Sequence, residues 1–190
     1  VFLTQSTDLT VVDDGVACNI GAYSYLRVMD LEAEGIFSSL NITKFATGVA
    51  YVPSGPVDVT LKFHVFNNPA DYSATGFAYS SLTQIGSDIT VSIPNTPLLP
   101  NPPVIVESPV SGITIPAGSK YIVWEVEAPV SNGNFVLGTN TRGESGATFY
   151  GGCATGDPTP ITTATGFANQ HWVTWLEGSV GSGLPFPVAD

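Results

Sequence analysis

Histidines, closely spaced glutamates and a few acidic turns are the residues of this sequence whose types could do chemistry. His64 and His171 are its two histidines and its candidate general bases. A serine nucleophile on a tight elbow needs G-x-S-x-G, and Gly143-Glu144-Ser145-Gly146 breaks that spacing, so a serine triad is not expected. His64 falls on the polar side of an alternating strand and His171 opens a late one. Both read as surface or hydrogen-bonded structural residues, and no catalytic residue is assigned. Glu125 and Glu127 stand two apart on one strand face. A carboxylate pair about 5 Å apart (retaining) or roughly 6.5 to 9.5 Å apart (inverting) can hydrolyse a glycosidic bond. Nothing near them in sequence would desolvate one into an acid, so a solvated acidic face is the simpler expectation.

Hard cations take carboxylate and carbonyl oxygens on turns, which makes Asp13, Asp14 and Asp30 the metal candidates and calcium an optional structural ion. Asp13-Asp14-Gly15, and Asp30 followed by Glu32 and Glu34, serve equally well as plain turn residues. No EF-hand spacing, HExxH pair or Cys/His cluster accompanies them, and no other cofactor is implied. For ligand binding, the informative stretch is Asn67 to Ser81, where Tyr72, Phe77 and Tyr79 punctuate a polar loop. Sugar C–H faces stack on such rings, or the rings fold under and cap a core. Trp172 and Trp175 fall on opposite faces of one strand, so one indole should point outward or cover a loop. Trp172 joins the three loop aromatics as a ligand-binding candidate, while Asn140, Arg142 and Glu144 form a polar turn expected to be exposed.

The elements that must position these residues are strands. Val57 to Val65 alternates strictly, apolar at odd positions and polar at even ones, the period of a half-buried strand with one face in solvent. The alternation recurs in Ile89 to Ile93 and in Lys120 to Ala128, where Ile122, Trp124 and Val126 share a face. Further strands are expected over Leu9–Val12, Tyr23–Met29, Asn41–Val52, Val104–Glu107, Phe135–Gly138, Thr148–Tyr150 and Gln170–Glu177, about ten in all. Asp30 to Gly35 is one short helical turn with a capping glycine. No repeat and no βαβ rhythm interrupts the pattern, so the fold class is all-β: an antiparallel, jelly-roll-like two-sheet sandwich. One domain over residues 1–177 and a linker-like tail over 178–190 complete the organisation.

Composition narrows the partners. The chain has 190 residues, 43% hydrophobic and only 11% charged, with 20 glycines and 15 prolines, which suits one domain of short strands and many turns. A net charge of −11 opposes nucleic acid and anionic lipid, and no apolar run reaches the ~20 residues of a membrane span. The sequence opens at Val1 without a signal peptide and reads as a processed, soluble segment. Cys18 and Cys153 lack CxxC spacing and read as a long-range disulfide, worth about 4 to 5 kcal/mol in the loop-entropy model. Such a bridge places the chain outside the cell or in the periplasm; Asn41-Ile42-Thr43 would be a glycosylation sequon only in a eukaryotic source.

Cys18-Asn19, Tyr25 to Leu31, Ile115 to Ser119, Leu137 to Asn140, and Cys153 followed by Pro158-Thr159 resemble motifs of the β-sandwich accessory modules of secreted marine and Bacteroidetes-type bacterial proteins, peptidases included. Glu32-Ala33-Glu34 is more acidic than that pattern. The resemblance implies attachment to a larger secreted or surface chain and brings no ligand residue with it. The function expected is a non-catalytic, carbohydrate-binding accessory module that takes a neutral polysaccharide or cell-surface glycan. Structural or adhesive contact with protein is the alternative, and weak glycoside hydrolysis through Glu125 and Glu127 the second alternative.

Overall fold

The computed structural model describes residues 1–11, 13–14, 22–52, 56–96, 103–129, 135–152, 156–163 and 170–181. Its strands are β1 (Phe2–Leu3), β2 (Asp13–Asp14), β3 (Tyr23–Asp30), β4 (Leu40–Tyr51), β5 (Val57–Phe66), β6 (Leu82–Gln84), β7 (Ile89–Ile93), β8 (Val104–Ile115), β9 (Tyr121–Ala128), β10 (Val136–Asn140), β11 (Thr148–Gly152), β12 (Thr159–Pro160), β13 (His171–Trp172) and β14 (Thr174–Val180). They form two antiparallel sheets of seven strands each. The first is built on β4, with β8 along one edge and β14 and β10 along the other. The second runs β12-β11-β3-β9-β5, with β6 and β7 both on the outer edge of β5. Apart from β7, which stays beside β5, the strands of five or more residues alternate between the sheets along the chain, so the two sheets are knit together.

The expected sandwich is therefore what forms, and the strands beyond the expected set are two- and three-residue pieces. Inward residues of both sheets, among them Tyr25, Phe45, Leu61, Trp124, Leu137 and Trp172, make one continuous core. Among the described residues no helix is long and apolar enough to cross a membrane. The turn after Asp30 is the expected one: Asp30 Oδ1 accepts from the Ala33 amide, and Gly35 closes the turn at a φ of 72°.

Three boundaries differ from the expectation. Residues 9–11 are not strand, because Asp8 Oδ1 accepts from the Thr10 amide and Asn140 Nδ2 donates to the Asp8 and Thr10 carbonyls, taking the acceptors a ladder would use. Strand β8 runs well past Glu107. Pro109 pairs with Lys44 on this edge strand, where its missing amide costs no ladder bond, and the register shift that follows is accommodated by Gly112 at a φ of 74°. The last strand continues beyond Glu177, because Gly178, Ser179 and Val180 still pair with Ile42, Asn41 and Leu40. The rest of the expected tail, from 182 onward, lies outside the described residues, as do Cys18 and Cys153. The described flanks of the two cysteines do converge, for Tyr23 pairs with Gly152.

The outer face of the second sheet is not simply solvent. The segment from Asn67 to Ser81 crosses it and drops Phe77 onto Leu26, Val28, Phe66, Val123 and Phe149, forming a second apolar cluster. The segment is fastened by the Phe77 amide to the Pro158 carbonyl (3.3 Å) and by the Tyr79 amide to Asp157 Oδ1 (2.9 Å). This cover explains why β3 and β9 are buried on both faces, although the sequence of β9 alternates.

Candidate functional site

Where the crossing segment stops short, the same outer face keeps an open recess of about 380 Å³. Three neighbouring strands supply its floor. Register puts Ser24 of β3 opposite Glu127 of β9, and Lys62 of β5 opposite Glu125. The side chains then join along the diagonal, as the twist of a sheet favours. His64 Nε2 lies 2.8 Å from Glu125 Oε2, Ser24 Oγ donates to Glu125 Oε1 at 2.5 Å, and Lys62 Nζ donates to Glu127. Tyr79 closes one wall with its hydroxyl 3.4 Å from Glu125 Oε1, and Gln84 stands at the rim. The Tyr79 ring lies on Gly151, where a Cβ would collide with the phenol; this glycine makes room for the wall.

Glu125 is 4% exposed and His64 7%, so the expectation of a solvated acidic face is corrected. Sequence alternation placed both side chains outward correctly; the cover that desolvates them comes from residues far along the chain. Burial alone would raise the Glu125 carboxyl, but the hydrogen bonds from His64 and Ser24 and the charges of His64 and Lys62 outweigh it and hold the pKa below its ordinary value. An ionised carboxylate only accepts, so His64 Nε2 carries a proton in either charge state of the ring. Burial and then the charge of Glu125 push the Tyr79 phenol up, so it stays a neutral donor. Burial opposes the Lys62 ammonium, but its bond to Glu127 and the charges of Glu125, Glu127 and Asp88 together outweigh it and push its pKa up.

A glycosidase acid needs a raised pKa, and Glu125 has a lowered one. In a nucleophilic triad the base stands between nucleophile and acid, whereas here the carboxylate stands between Ser24 and His64.

The remaining sequence candidates scatter. Trp172 is fully buried between the sheets, with Nε1 donating to Thr47 Oγ1 at 2.9 Å, so it offers no face to a ligand. Trp175, on the other face of the strand region, packs under Phe2 and beside Val11 on the outer side of the first sheet, as one indole was expected to do. Phe77 is 6% exposed, wedged between Phe66 and Phe149 with ring centroids 5.1 and 5.0 Å away; it caps the core instead of binding. Tyr72 stays half-buried against Tyr121, at 4.7 Å between centroids, away from the recess that Tyr79 lines. Of the polar turn expected to be exposed, Arg142 is, with its side chain 55% exposed, whereas Asn140 is buried holding the segment 8–10 and the Glu144 side chain pairs with the fully buried Arg27 at 2.5 Å. His171 Nδ1 is 3.3 Å from Glu144 Oε1, close enough to sense its charge but without hydrogen-bond geometry.

Asp30 lies on the second sheet and β2 on the first, so the acidic candidates do not converge through their backbones. Among the described residues no group of three or more Asp, Glu, His or Cys gathers around a metal position. The side chains of Asp13 and Asp14 lie outside what is described.

An all-β sandwich domain with a polar recess on one covered sheet face is thus the class that fold and geometry define. No protein-family model matches the chain, and no curated protein matches it. Among solved structures it is similar to the cysteine protease and lectin-like domains of Cwp84, a surface-layer associated protein of Clostridium difficile, with a TM-score of 0.55 at 14% identity, covering 85% of this chain and 33% of that one. At this identity the likeness is one of fold, and this chain spans about a third of the length of that solved chain.

Proposed function

We propose that this chain is a non-catalytic, glycan-binding module of a larger secreted or cell-surface protein, and that the recess around Glu125 holds the sugar. The observation that carries the proposal is the preorganised polar floor. Glu125 is already ionised, desolvated and fixed by His64 and Ser24, so a sugar hydroxyl meets an oriented acceptor whose ordering cost fell on folding. Glu127, Lys62 and Gln84 offer further acceptors and donors, and the Tyr79 ring gives a C–H stacking surface. A neutral polysaccharide fits a chain of net charge −11 better than an acidic one. The lectin-like domain named in the Cwp84 structure, and the resemblance to accessory modules of secreted bacterial proteins, support the same reading. A Cys18–Cys153 disulfide and an extracellular location belong to this proposal, with calcium as an optional ion.

The second reading, contact with protein, draws on β8. This long edge strand pairs only with β4 among the described residues, and Ile105 on it is exposed.

The test is titration of the purified chain against a panel of plant, algal and microbial glycans, in calcium and again in chelator. Saturable binding that Tyr79→Ala and Glu127→Ala both weaken supports the reading. A blank panel with folded protein moves the assignment to protein contact, and a signal lost only in chelator adds the ion.

A further inference from the structure

A second recess, of about 200 Å³ and more enclosed than the first, opens where β3 and β9 end on the far side of the crossing segment. Two tyrosine rings line it: Tyr72 and Tyr121, inclined at 48° with centroids 4.7 Å apart. Asp30, opposite Tyr121 in the β3–β9 ladder, lines it as well, together with Gln5 and Ser145. We infer that this recess binds an alkylammonium group, quaternary or primary, at the Tyr72–Tyr121 wedge with Asp30 as its counter-charge.

The chemistry follows from the lining. Ring faces carry the negative end of the aromatic quadrupole and attract cations within about 6 Å of the centroid. Tyr121 already draws one, for Lys120 Nζ sits 5.4 Å from its centroid. One carboxylate and two rings do not suit calcium, which takes roughly six to eight oxygens. They suit a weakly hydrated organic cation whose alkyl surface lies against the recess-facing side of the ring pair. Among the described residues only Asp30 Oδ1 is engaged, in capping Ala33, which leaves its other oxygen to accept. A net charge of −11 raises the local concentration of any cationic ligand. The inference does not rest on the glycan reading, since it uses a different recess and different residues.

Its test is an NMR titration of the intact chain with tetramethylammonium, choline, glucosamine, N-acetylglucosamine and glucose. The expected result is saturable shifts of the Tyr72 and Tyr121 ring signals with the ammonium compounds and none with glucose or N-acetylglucosamine. Choline above glucosamine would point to a quaternary headgroup as the natural ligand, and the reverse to an amino sugar. Asp30→Asn keeps the cap on Ala33 and is expected to weaken binding about tenfold. Lys120→Met removes a competing ammonium and is expected to tighten binding, a gain that a damaged fold would not give. Ammonium probes that shift nothing, glucose that shifts the rings as glucosamine does, or an affinity indifferent to Asp30→Asn would each overturn the inference.

Discussion

Replacing Glu144 by glutamine strips the counter-charge from a guanidinium that has no exposed surface. Arg27 is 0% exposed; its Nη1 donates to Glu144 Oε2 at 2.5 Å and to the Gly146 carbonyl at 2.7 Å, and its Nη2 donates to the Trp172 carbonyl at 2.6 Å. Burial already lowers the Arg27 pKa against the pull of Glu144, so without that carboxylate the charge rests on carbonyl dipoles alone. Breaking a buried pair by removing one partner costs about 3–5 kcal/mol. For a chain of this size that is a fall in Tm of roughly 6–20 °C. Glu144 also accepts from the Thr148 amide at 3.0 Å and from Thr148 Oγ1 at 2.7 Å, and glutamine keeps an oxygen for one of these. The double variant Arg27→Met, Glu144→Gln removes the stranded charge and should regain about 2 kcal/mol or more over Glu144→Gln alone. Guanidinium melts of the two variants and the parent measure both differences. A loss below about 1 kcal/mol for Glu144→Gln, the value of an exposed pair, would refute the burial argument.

Glu125 has a folded pKa below its unfolded one, so its ionic contribution is present above the ordinary carboxylate range and lost as pH falls through the folded value. Glu125→Gln should therefore destabilise the protein at neutral pH, and its gap from the parent should close as melts are run at pH values falling below the ordinary carboxylate range; a gap that stays constant with pH would contradict this. Phe77→Ala should cost about 3–5 kcal/mol, because the ring plugs the crossing segment onto the sheet, and limited proteolysis should then cut between Asn67 and Ser81. Thiol titration of the unfolded, unreduced chain should find neither of its two cysteines free, and both after reduction.

The sheet residues were legible because side chains alternate with a period of two, a local property. Val59, Leu61 and Phe63 point inward as their positions demand, and Ile89–Ile93 has the expected bounds. Alternation equally put Lys62, His64, Glu125 and Glu127 on the outward side. What it could not supply is register and cover. The diagonal from His64 to Glu125 depends on how β5 pairs with β9, and their burial depends on Tyr79 and Gly151, each distant in sequence. The aromatic segment was legible as a feature but not in its role, because a ring that stacks on sugar and one that plugs a core have the same sequence. Phe77 took the plug, and Tyr72 and Tyr79 kept partly open faces on either side of it. Trp172 was misread because alternation does not say which face of a strand turns inward: on β13, at the end of its sheet, the indole points between the sheets. Arg27 stood in an apolar run with nothing local to mark its partner, since Glu144 reaches it from another part of the chain.

The most direct test of the glycan reading is amide chemical-shift mapping of the intact chain with the glycan panel. The account predicts saturable shifts concentrated at Lys62, His64, Gln84, Glu127 and Gly152, around the Glu125 recess. Shifts confined to β8, or no saturable shift with any glycan while the fold stays intact, would contradict it.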